Sequence, residues 1–175
     1  MNRAGKARQI ARAVLVVGEG DSEVHFLKHL KSNYVSRGSG VSVQIKNARG
    51  KGAMHVVDFA IRHSRNADYD LRVALLDADT DWNDRANQMA KKGRIKVLVC
   101  QPCLEADLLR CHDVPVQGLN SAQIKVRFMK AFGLDASQAA VYSTHFPLHL
   151  LEAARLRVDN LSTLLTLLAT GHIPP

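Results

Sequence analysis

The chain carries two kinds of apolar pattern in alternation. Val14-Leu15-Val16-Val17, Leu71 to Leu76 and Ile95 to Val99 are short, aliphatic and nearly continuous. Runs of that length suit strands covered on both faces, as in a parallel sheet. Val41, Val43 and Ile45 alternate with polar residues instead, which predicts a strand nearer an edge. Between the strands the apolar residues recur at helical spacing. Phe26, Leu27, Leu30 and Tyr34 share one face of a helix that Asp21 or Ser22 would cap. Met54, Val57, Phe59, Ala60 and Ile61 mark a second helix; Trp82 to Lys92, stopped by Gly93, marks a third. Leu104 to Cys111 is a fourth, with Leu104, Leu108 and Leu109 inward and His112 at its end.

Strands alternating with helices predict an α/β fold: a mostly parallel four-stranded sheet flanked by helices. After Val116 the β pattern fades. Ser121 to Phe132 and Pro147 to Leu168 read as helices, with a restart at Asp159 or Asn160. The leucines of that late stretch predict a helical extension packed on the sheet or on a partner chain. The organisation expected is a basic segment 1–12, an α/β domain 13–116, and a helical C-terminal extension 117–175 on the same domain.

Composition narrows the class. At 175 residues the chain is about one domain, and 46% hydrophobic content argues against disorder. No apolar run reaches the roughly 20 residues of a membrane helix. The basic start leads into only a short apolar run without a small-residue cleavage site, so no signal peptide is read and a cytoplasmic location is expected. The net charge is +8, which suits a polyanionic partner without requiring one. Three cysteines, an odd count, argue against a disulfide framework. Cys100-Gln101-Pro102-Cys103 has the spacing of half a zinc site, but the usual second half is missing. The plainer expectation is one thiol ending a strand and two lying along a helix.

The chemistry concentrates where the strands end. Gly18-Glu19-Gly20-Asp21-Ser22-Glu23 follows the first apolar run, and Asp77-Ala78-Asp79-Thr80-Asp81 follows the third. Open α/β sheets place their sites at the carboxyl ends of strands. Carboxylates gathered there repel unless a hard cation such as Mg²⁺, which takes oxygen ligands, neutralises them. Glu19, between two glycines, is either a ligand or a solvated residue of a tight turn. Glu23 is one helical turn on, where the helix dipole alone would favour it. If the strand continues through Asp77 and Asp79, both side chains leave one face, a plausible clamp for Mg²⁺. Asp81 is expected to cap the helix beginning at Trp82. Glu105, at the fourth strand-to-helix junction, is expected on the same rim. Ala48-Arg49-Gly50-Lys51-Gly52 lacks the Walker spacing and so is no P-loop. Arg49 and Lys51 either touch a phosphate or sit on a solvated basic turn.

These motifs resemble the Toprim domain of primases, topoisomerases, small RNases and OLD-family nucleases. The opening Val17-Gly18-Glu19-Gly20-Asp21-Ser22-Glu23 to Phe26-Leu27 is similar to the EGxxE…FL segment of the RloB-like and OLD-like branch. Gln101-Pro102-Cys103-Leu104-Glu105 to His112 is similar to that branch's NPCFE-x-WLLxH segment, with Gln101 for Asn, Leu104 for Phe, Asp107 for Trp and the histidine one position later. The resemblance covers about residues 13–116 and implies a Toprim-like, Rossmann-like sheet. It implies a nuclease that hydrolyses phosphodiester bonds of DNA or RNA with Mg²⁺ or Mn²⁺. Glu19, Asp77 and Asp79 would be metal ligands, Glu23 and Glu105 would support a second metal, and Glu19 would be the general acid or base. It also implies a role in antiphage defence beside a separately encoded ABC-type ATPase, with a homo-oligomer possible. The alternative is a non-catalytic nucleic-acid-binding or assembly subunit. Primase-like phosphoryl transfer is disfavoured by the missing zinc-binding and polymerase segments.

Overall fold

The computed structural model describes residues 11–79 and 81–174. The expected basic segment thus lies outside the described residues except for its last two, and Arg12 already belongs to the first strand. Four strands, β1 (Arg12–Gly18), β2 (Val41–Asn47), β3 (Leu71–Asp77) and β4 (Lys96–Cys100), form one sheet in the order β2-β1-β3-β4. All three pairings are parallel. β2 is an edge strand, as its alternating pattern predicts. The fold is α/β and Rossmann-like.

Period-two alternation divides the strand residues between two cores. Val14, Val16, Val73 and Leu75 face one layer, which contains α1 (Asp21–Tyr34), α4 (Leu104–Cys111) and the C-terminal helices. Leu15, Val17, Ala74 and Leu76 face the other, built on α2 (Ala53–His63) and α3 (Asp84–Gly93).

Helix boundaries show what local sequence leaves open. The N-cap of α1 is Gly20, with extended backbone, rather than Asp21 or Ser22. Glu23 supplies the missing cap by accepting the Gly20 N–H at 2.8 Å. Asn83, rather than Asp81, caps α3, accepting the N–H groups of Arg85 and Ala86. Gly93 is the last helical residue there, and Arg94 takes the left-handed cap at φ 54°. Asp81 instead reaches across to accept the Ala53 N–H at the start of α2, 2.9 Å away.

The extension consists of α5 (Ser121–Phe132), α6 (Ala139–His145), α7 (Leu148–Ala154) and α8 (Asp159–Thr170). The stretch from Pro147 to Leu168 is two helices, and the restart expected at Asp159 or Asn160 falls at Asp159. Its break is held by Arg157, which turns back to donate to the Cys111 carbonyl at 2.8 Å and pairs with Asp113 at 2.9 Å. α8 buries Leu161, Leu164, Leu165, Leu167 and Leu168 against α1 and the sheet. α6, which sequence periodicity missed, is fixed by packing: Tyr142 is fully buried, as is Phe146 just past its end. Two histidines of α1 dock this region, His25 on the Ser137 carbonyl at 2.7 Å and His29 on the Phe146 carbonyl at 2.8 Å. Among the described residues no helix is long and apolar enough to cross a membrane.

Candidate functional site

From β1 the chain crosses to β2 on one side and then to β3 on the other. The strand order therefore reverses at the carboxyl ends of β1 and β3, the place where open α/β sheets hold ligands. Glu19 follows β1, and Asp77 is the last residue of β3. The Asp77 N–H donates to Glu19 Oε2 at 3.2 Å across that crevice. The Glu19 N–H itself continues the ladder to the Leu75 carbonyl at 3.1 Å.

Two helix N-termini complete the rim. Gly18 lets α1 approach, since a Cβ there would stand 2.9 Å from Glu23 Cβ. This brings Glu23 back toward Glu19, as one helical turn predicts. On the other side Asp77 Oδ1 accepts the Leu104 N–H at 2.8 Å, so Asp77 caps α4, whose N-cap residue, Cys103, makes no side-chain cap. Glu105 lies in the first turn of that helix.

Among the described residues five polar or charged ones are buried: Glu19, Glu23, Asp77, Glu105 and the remote Ser64. Four of the five are carboxylates singled out by the motifs. Burial pushes the Asp77 carboxyl up to about 8, and the charges of Glu23, Glu105 and Asp79 add to the rise. Burial likewise pushes Glu23 up to about 7, against the hydrogen bond from Gly20 and with the charges of Glu19 and Glu105. The cluster near neutral pH must take up protons or a cation.

Asp79 behaves differently from its expectation. β3 ends at Asp77, so the two aspartates do not share a strand face. Asp79 is exposed in the following turn, where its N–H meets the Pro102 carbonyl at 3.3 Å. Ala78 N–H makes the last ladder bond, to the Cys100 carbonyl at 2.9 Å, and also reaches the Pro102 carbonyl at 3.0 Å beyond the end of β4. Asp79 still acts on Asp77 through its charge.

The basic loop flanks the same rim. Gly50 N–H donates to the Glu19 carbonyl at 2.8 Å, and Ala48 N–H to the Gly18 carbonyl at 3.0 Å. Arg49, Gly50, Lys51 and Gly52 have φ of 61, 74, 76 and 84°. Left-handed backbone at Arg49 and Lys51 is costly, roughly 1–3 kcal/mol each, and is held by those tethers. Both cationic side chains are exposed. A Cβ on Gly52 would stand 2.7 Å from Asp81 Oδ1, so the α2 cap requires glycine there.

Lys125 and Tyr142 come from the extension, which the motifs had left out of the site. Desolvation alone would lower the Lys125 ammonium, but the charges of Glu105, Asp77 and Asp79 outweigh it and raise the group. Tyr142 donates to the carbonyls of Ala136 at 2.7 Å and Ser22 at 3.0 Å, backing the first turn of α1 behind Glu23. Burial, and the charges of Glu23 and Glu105, push its phenol up. Neither residue carries a local motif; a lysine and a tyrosine in helices give no signal until the helices are packed.

The three thiols are buried and free, at the end of β4, the N-cap of α4 and its last residue. Burial pushes Cys103 and Cys111 each up to about 12 and Cys100 well above its ordinary value. They pack as apolar groups with their protons held.

The donor chemistry of the rim fits Mg²⁺ or Mn²⁺: the groups are carboxylates, and the Cys103 thiol hydrogen-bonded to Glu105 is kept protonated by burial. Among the described residues no three acidic, cysteine or histidine side chains already stand as a metal-ligating group. Asp77 Oδ1 and Glu23 Oε2 are engaged by backbone N–H groups. Comparison with known proteins finds no matching family model, no matching curated protein and no matching solved structure.

Proposed function

We propose that this chain is a Toprim-type, metal-dependent nuclease that hydrolyses phosphodiester bonds of DNA or RNA. The observation that carries the reading is the concentration of Glu19, Glu23, Asp77 and Glu105, buried together at the switch point of a parallel sheet. Burying four carboxylates in one crevice costs stability unless a ligand compensates. Glu19, Asp77 and Asp79 would hold Mg²⁺ or Mn²⁺, with Glu23 and Glu105 supporting a second ion. Bound there, the metal supplies charge stabilisation for the oxygens of a phosphodiester. The chain's own contribution is to hold the strand. Arg49 and Lys51 stand ready for phosphates on one side, and Lys125 places a cation beside the carboxylates on the other. Glu19, at the crevice between β1 and β3, is the residue to take or give a proton during cleavage. By the resemblance of its motifs the protein would act in antiphage defence, beside an ABC-type ATPase encoded separately; the cytoplasm is the location expected from its sequence.

A binding role without catalysis is favoured by one observation: Asp77 and Glu23 are engaged as helix caps. Titration calorimetry with Mn²⁺, comparing wild type with Asp77→Ala, tests the metal centre without a guess at substrate or partner. Binding that vanishes in the variant supports the nuclease reading. Absence of Mn²⁺ binding in the wild type, with and without added oligonucleotide, would leave the binding subunit as the better account.

A further inference from the structure

α5 turns an unusual face outward. Its twelve residues include Lys125, Arg127 and Lys130 and no acidic residue. Ile124 and Phe128 anchor its inner side in the core. At about 100° per residue, the outward arc runs from Lys125 through Met129 and Val126 to Lys130. Val126 is 71% exposed and Met129 44%, two of the four large apolar side chains left open among the described residues. The result is an apolar ridge between two ammonium groups. Arg127 is set apart from it, since its guanidinium is tied to the Pro115 carbonyl.

One edge of this ridge is already part of the candidate site. α5 packs against α4, whose first turn carries Glu105, and the charges of Glu105, Asp77 and Asp79 act on Lys125. A strand whose phosphodiester sits at the crevice would have its next phosphates beside a helix whose charged side chains are all cationic. We infer that the outer face of α5 is a rail for the nucleic-acid strand leaving the site, with Lys125 and Lys130 meeting phosphates and the Val126–Met129 ridge meeting sugars or bases. The inference rests on the nuclease reading and adds where the substrate runs. Charge complementarity selects this occupant: a polyanion satisfies both ammonium edges, and the apolar ridge tolerates any sequence.

Binding of a labelled oligonucleotide, single-stranded and duplex, is measured by anisotropy at two salt concentrations with Ca²⁺ in place of Mn²⁺ to prevent turnover. Lys130→Glu and Val126→Asp are compared with Lys92→Glu, the same charge change as Lys130→Glu placed on α3 across the sheet. All three positions are exposed, so folding is retained and checked by circular dichroism. Lys130→Glu is expected to weaken binding about tenfold and to reduce the salt slope by about one, with Val126→Asp similar and Lys92→Glu within about twofold. Equal affinities for all three variants would overturn the rail. So would a Val126→Asp effect confined to oligomeric state, which would make the ridge a protein interface. Failure of wild type to bind either oligonucleotide would overturn it as well. Mn²⁺ calorimetry on the same variants reads the metal centre separately, so the rail can fail while the nuclease reading stands.

Discussion

The two faces of the sheet are filled differently, and each contributes a different half of the candidate site. The face covered by α1, α4 and the extension is thick. It buries Phe26, Phe128, Tyr142 and Phe146 and five leucines of α8. The face covered by α2 and α3 is thin, and its fully buried residues are mostly alanine and valine. Glu23 and Glu105 enter the rim from the thick side; Arg49 and Lys51 enter from the loop preceding α2 on the thin side. Burial on the thick side raises the Glu23 carboxyl. A phosphate-binding cation needs water access and only a rigid backbone beneath it. Apart from Lys125, which α5 brings from the thick side, the division of charge follows the division of packing.

The sharpest way to break this comparison is to remove one charge from each half. Asp77→Ala is expected to abolish Mn²⁺ binding and to lower cleavage by at least about a hundredfold, whereas Lys51→Ala should raise KM by only about threefold to tenfold and leave kcat near wild type. Steady-state kinetics on one substrate decides it; equal kcat losses would deny the loop its separate role.

Packing offers the next largest effect. Phe128→Ala empties the thick layer and should cost about 3–5 kcal/mol, while Val56→Ala in the thin layer should cost about 1–2 kcal/mol. Urea denaturation followed by fluorescence or circular dichroism gives both. Similar losses would mean that the layers share load equally.

A smaller cost is expected at Gly52, whose φ of 84° and ψ of 167° lie in a region almost confined to glycine. Gly52→Ala should cost about 1–3 kcal/mol and loosen the Asp81 cap on α2, seen as faster hydrogen exchange at Ala53. Unchanged protection there would mean that the loop adapts.

The titration of the acidic half gives the gentlest test. In metal-free protein Asp77 keeps its proton to about 8 against an ordinary 3.8, and Glu23 to about 7 against 4.5. The native state then binds more protons than the unfolded chain across that window, so stability falls as pH rises through it. Scanning calorimetry in chelator should show the midpoint dropping between about pH 5 and about pH 8, with Asp77→Asn flattening the slope. A midpoint rising over this range would contradict the buried-carboxylate picture. Divalent metal binds the deprotonated groups, so Mn²⁺ affinity should increase over the same range.

Much of this protein is written in local pattern. Four strand runs and the helices of the α/β part follow from period-two and 3.6-residue spacing. Glu19, Glu23, Asp77 and Glu105 declare themselves because each follows a strand at its carboxyl end, and topology sends all such ends to one rim. Local pattern misleads where a residue's partner is distant. Asp81 reads as the cap of the helix beside it, yet it caps α2, because the turn after β3 brings the two together. Asp79 reads as a strand partner of Asp77, yet β3 ends at Asp77 and Asp79 lies exposed in the following turn. Lys125, Tyr142 and α6 leave no mark in the sequence, since their roles depend on which helices cover α1 and α4. The sequence by itself determined the elements, the parallel sheet and the acidic strand ends, because these depend on neighbours within a turn or a strand. Only the tertiary structure decided which carboxylates lose water, which helix each aspartate caps, and that the C-terminal extension packs on α1 and α4 behind the site, because burial and long-range hydrogen bonds exist only once the layers have packed.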